Sequence, residues 1–105
     1  METIPSKQYQ KIKERYPDFL SAVESLGKAT KKEGSIDEKT AHLVQLAAAA
    51  SIRSEGAVHS HTRRAIDAGA QADEIYHAII LLTSTIGFPN VVAALSWADD
   101  VIESS

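Results

Sequence analysis

The segment Leu43-Val-Gln-Leu-Ala-Ala-Ala-Ala-Ser-Ile52 constrains this chain more than any other. Four consecutive alanines have no use as a strand, where side chains must pack a pleated surface, but they are the best helix formers and leave a helix thin enough to approach another closely. With Leu43, Val44, Leu46 and Ile52 around them, they predict a central helix that is apolar nearly all round. The other patterned segments also repeat with the helical period, and none alternates β-branched residues as a strand does. The expectation is an all-α chain.

Local signals divide that chain into helices. Residues 6 to 15 and 17 to 31 read as a charged, amphipathic entry, with Pro17 at the first turn of the second piece and Phe19, Leu20, Val23 and Leu26 as its inner face. Gly34 breaks the pattern, and Ser35-Ile-Asp-Glu38 has capping-box spacing, which predicts a helix over about 36 to 52. The next helix, about 54 to 68, stops at Gly69, and Gln71-Ala-Asp-Glu74 places carboxylates in the first turn of its successor, where they suit the helix dipole. Ile75, Ala78, Ile79 and Leu82 form that helix's core stripe. Ile86-Gly-Phe-Pro-Asn90 is a turn into a last helix facing inward through Val91, Val92, Leu95, Ala98 and Ile102. A single domain over 1–105 is expected, with a core at about 34–103 and an N-terminal helical extension at 6–31.

At 105 residues the chain is long enough for one core and short enough that oligomerisation would help it bury apolar surface. Its 11 basic and 14 acidic residues give a net charge of −3, which argues against nucleic acid or an anionic membrane as partner. No apolar run approaches the roughly 20 residues that span a bilayer, and the N-terminus lacks a signal pattern, so a soluble, cytoplasmic protein is expected. There is no cysteine, which removes disulfides, thiolate metal sites and thiol catalysis.

The stretch Ser54-Glu-Gly-Ala-Val-His-Ser-His61, followed by Thr62-Arg-Arg-Ala-Ile-Asp-Ala-Gly69, resembles the core of the carboxymuconolactone decarboxylase and alkylhydroperoxidase-D superfamily. Peroxidase members there read Cys-x-x-Cys-x-x-x-His. In this chain the thiol positions fall on Ser54 and Ala57 and the histidine on His61, so peroxidase activity through thiols is expected to be absent. The peroxidases' relay glutamate, twelve residues before the first cysteine, falls on His42. In the lactone decarboxylases a glutamate four before the histidine corresponds to Ala57. The resemblance implies an AhpD-like fold of about six helices, assembled as a homotrimer or homohexamer with sites near subunit interfaces, acting on a small-molecule ligand.

Ser54, Ala57 and His61 share one stripe at about 100° per residue. A tight helical hairpin near Arg53 would bring His42 within roughly a turn of His61, and two imidazoles there suit proton transfer to a small organic acid or lactone near neutral pH. His61 and His42 are the catalytic candidates, with Arg53, Ser54 and Glu55 as substrate-binding candidates. No cofactor is expected. The alternative is a non-enzymatic oligomer that binds a small ligand or a divalent metal, the metal held by His42 and His61 with Glu55 near, or in which the histidines merely pack.

Plainer readings stand beside these. A histidine on a small-residue helix can be a packed filler, Ser54 an N-cap, Glu55 a carboxylate serving the dipole, and Arg53, Arg63 and Arg64 a solvated face. His59 lies about 200° from His61 around an ideal helix, so His-x-His cannot chelate one ion there and His59 reads as surface or interface. His77 reads as structural and Trp97 as core or subunit contact.

Overall fold

The computed structural model describes residues 6–104, and helices with short connections account for the regular structure among them. The chain divides into two units, one within residues 4–37 and the other from Glu38 onward.

The first unit is a helical pair. Helix α1 (Lys7–Arg15) starts where the Ser6 hydroxyl accepts a hydrogen bond from the Tyr9 N–H at 3.1 Å, satisfying a donor the helix itself cannot. Helix α2 (Pro17–Lys32) begins with Pro17 as the sequence predicts, since proline's fixed φ and missing N–H cost nothing in a first turn. The Tyr9 hydroxyl donates to Glu24 and ties the two helices. Of the expected inner face only Leu20 is buried; Phe19, Val23 and Leu26 are exposed. Helix α1 is nine residues long with no buried residue of its own, too short and polar a partner to cover that stripe.

The second unit holds α3 (Glu38–Ser51), α4 (Glu55–Asp67), α5 (Ala72–Ile80), the single turn α6 (Thr83–Ile86) and α7 (Phe88–Ile102). Helix α3 starts at Glu38 itself, so Ser35 lies outside it and the predicted capping box is not the start signal. Two helix ends are built alike. After α4, the Ala70 N–H reaches the Ala65 carbonyl at 2.9 Å and the Gly69 N–H reaches Ile66 at 3.0 Å, with Gly69 at φ 102°. After α3, the Ser54 N–H reaches Ala49 at 3.0 Å and the Arg53 N–H reaches Ala50 at 3.1 Å, with Arg53 at φ 56°. Both are left-handed caps of the Schellman type, and the second places a side-chain-bearing residue where glycine is usual, at a cost of roughly 1–2 kcal/mol.

Leu46, Val58, Ala65, Ile75, Ile79, Ala94 and Ala98 form the centre of this unit's core. Helix α7 buries Val91, Ala94, Ala98 and Val101, a stripe rotated from the expected one, and leaves Val92 exposed. The small Ala94 and Ala98 sit at the centre of that stripe with no exposed surface, and Leu95 and Ile102 pack at the margin. Helix α3 is likewise one-sided. It packs on α4, α5 and α7 through Leu46, Ala49 and Ala50, while Val44 faces outward and Ile52, in the turn just after the helix, is exposed. Glu74 joins α5 to α3, accepting from the Gln71 N–H and from Lys39 Nζ, each at 2.9 Å. Those donors, the backbone N–H foremost, hold its carboxyl below the usual carboxylate range. No helix among the described residues is long and apolar enough to cross a membrane.

Ile75→Ala, at a fully buried position, is expected to cost about 2–5 kcal/mol in urea unfolding, whereas Ile52→Ala, at 76% exposure, should stay within roughly 0.5 kcal/mol of wild type. Because Glu74 titrates lower in the folded than in the unfolded chain, its contribution is present above the unfolded value and lost as pH falls through the folded one. The stability gap between wild type and Glu74→Gln should therefore narrow on acidification through that window.

Candidate functional site

The cap at Arg53 turns α4 back along α3, and the two helices meet through Leu46, Ala49, Ala50, Val58 and Ala65. That approach places the rings of His42 and His61 with centroids 5.8 Å apart and planes inclined by 38°. His42 is 4% exposed, while His61 is half-buried. Glu38, one helical turn before His42, holds a carboxylate oxygen 4.0 Å from its Nε2.

Two further polar groups belong to this region and were not singled out from the sequence. Gln45 lies one turn after His42, and Thr62 follows His61; the Gln45 Oε1 and the Thr62 Oγ1 are buried with no hydrogen-bond partner among the described residues. Buried polar atoms are nearly always satisfied, so two orphaned oxygens close in sequence to both histidines mark an unusual interior. The available signal was weak: a glutamine at i+3 from His42 on an otherwise apolar helix face.

The remaining candidates point elsewhere. Ser54 caps α4, its Oγ accepting from the Ala57 N–H at 3.3 Å. Arg53 donates to Asn90 and lies over the Trp97 ring at 6.0 Å, at the edge of cation–π range. From Ser54 to His61 the helix climbs roughly 10 Å, so the turn residues sit at one end of α4 and the histidine pair further along it. Glu55 is exposed, with its carboxylate 4.0 Å from His59 Nε2, and His59 reaches Asp100 on α7 at 3.0 Å. His59 and His61 thus face different neighbours, as their angular separation requires. Burial, then the adjacent Arg64, lowers the Arg63 pKa from its ordinary value. His77, read from the sequence as structural, is exposed and lines an open groove of about 400 Å³ with Leu43, Val44, Ala47 and Leu81. That groove is formed by another stripe of α3, away from the one that carries His42 and Leu46.

An uncharacterized protein of Methanocaldococcus jannaschii, MJ1511, is 30% identical over 94 residues, covering 90% of this chain and 88% of that one. Among solved structures, apo-lpg0406, a carboxymuconolactone decarboxylase family protein from Legionella pneumophila, matches the fold with a TM-score of 0.77 at 24% identity, over 92% of this chain and 86% of that chain. The sequence profile of the carboxymuconolactone decarboxylase family extends over residues 17–100, taking in α2 as well as the helices around His61. The chain belongs to the carboxymuconolactone decarboxylase family.

Proposed function

We propose that this family member carries out acid–base chemistry on a small organic acid or lactone, with His42 and His61 as the proton-transferring residues. The observation that carries the reading is the pair itself: two imidazoles 5.8 Å apart across one hairpin, one of them in the core. Imidazole is the only side chain whose unperturbed pKa lies near neutrality, so the pair can hold one proton and exchange it with substrate without a metal or a cofactor.

For a carboxylated lactone the chemistry balances simply. The carbon–carboxylate bond breaks, CO2 leaves, and the electron pair passes into the conjugated lactone carbonyl. A protonated imidazole then delivers its proton to carbon, and water restores it. Thiol–disulfide chemistry is closed to a chain without cysteine, whatever its relatives do. Arg53 and Glu55 are engaged with Asn90 and His59, so the proposal rests on the histidines.

Ile80, Leu81, Phe88 and Val92 form a set of exposed large apolar side chains on the second unit. We infer that a homo-oligomer covers them, since this many large apolar side chains left exposed on one small helical unit suit a subunit interface. Light scattering should then give a mass of several chains, and Phe88→Asp should lower it; a monomeric wild type would overturn this inference.

Carboxymuconolactone is the first substrate to offer, with CO2 release as the readout. His61→Ala should lower turnover about 10²- to 10⁴-fold, the usual worth of a positioned acid or base, while leaving the circular dichroism unchanged. His42→Ala should act in the same direction. Undiminished turnover in His61→Ala would sink the reading.

A further inference from the structure

We propose that Glu55, His59 and Asp100 form a binding site for one divalent cation of the Zn²⁺ type, bridging α4 and α7 and separate from the His42–His61 pair. One ligand atom from each of the three lies within 4.8 Å of the others. His59 Nε2 stands 3.0 Å from an Asp100 oxygen and 4.0 Å from a Glu55 oxygen. Ligand atoms around a tetrahedral ion at 2.0–2.1 Å stand roughly 3.3 Å apart, so these separations bracket what such an ion needs. Both carboxylates are exposed and can rotate to close the rest. Glu55 and His59 are one turn apart on α4, and Asp100 comes from a helix packed against it, so helical backbone supplies all three.

Charge points the same way. Among the described residues neither Glu55 nor Asp100 is paired with a lysine or arginine, and their shared neighbour is His59. Asp100 also lies in the last turn of α7, where the helix dipole is already negative and no basic residue offsets it. Asp99 beside it accepts from the Tyr76 hydroxyl at 2.7 Å, a neutral donor that brings no positive charge to this end of the helix. Two carboxylates around one imidazole carry more negative charge than that ring can offset, and a dication neutralises it while taking the ring nitrogen as a ligand. One nitrogen and two carboxylate oxygens, without sulfur, select a borderline ion such as Zn²⁺ over soft Cu⁺. Three protein ligands leave a coordination position for water or a substrate oxygen.

The test is Zn²⁺ titration calorimetry at pH 7.5 on untagged protein stripped with chelator. One ion per chain is expected, with affinity at least about tenfold lower in His59→Ala and in the isosteric Asp100→Asn. His61→Ala should bind Zn²⁺ like wild type, which keeps this site's fate distinct from that of the histidine pair. No saturable binding by wild type, binding undiminished in both variants, or binding lost in His61→Ala instead would overturn the proposal.

Discussion

The bend between α3 and α4 is the constraint on which the rest of the larger unit depends. Two backbone hydrogen bonds, from Ser54 to Ala49 and from Arg53 to Ala50, close α3 and reverse the chain within three residues. A longer connection would let α4 slide or rotate; this one fixes its start at Ser54 and hence the phase of every later residue on it. Phase then decides chemistry. His61 is delivered to α3 and His42, while His59, two residues earlier, is delivered to α7 and Asp100. The left-handed arginine carries a backbone cost, offset by alanine faces that let the two helices close on one another along their length.

Much of this was legible where the determining physics is local. Pro17, Ser54, Gly69 and Pro89 mark helix ends through their own ring, hydroxyl or missing Cβ, and each is where it was expected. The pairing of His42 with His61 was also readable, because a tight hairpin makes position along one helix predict position along the other. Arg53 was readable as the site of reversal but not as a left-handed cap, since nothing in arginine's chemistry advertises positive φ. Ser35 misled because capping-box spacing is necessary for the motif and not sufficient for a helix to begin there.

Other features depend on what a residue meets after folding. The rotated stripe of α7 puts Ala94 in the core and Val92 outside it, and hydrophobicity alone ranks those the other way. Phe19, Val23 and Leu26 have the pattern of a buried face but no cover within their own helical pair. Asp100 lies 41 residues from His59, so no motif could have joined them. Gln45 and Thr62 escaped for a related reason: burial makes their oxygens notable, and burial is a property of the assembled helices.

The cap at the start of α4 has a bearing on how redox activity can be gained or lost within this scaffold. Ser54 and Ala57, the positions that carry thiols in related peroxidases, are here joined in the opening turn of a helix by a hydrogen bond from the Ala57 N–H to the Ser54 hydroxyl oxygen. The unpaired amides and dipole that make serine a good cap would also stabilise a thiolate there, since cysteines at helix N-termini are unusually acidic. The electrostatic half of a dithiol centre is therefore present here without sulfur. Two codon changes separate this chain from one whose first turn presents a nucleophilic thiol and a resolving partner, with an imidazole one turn beyond.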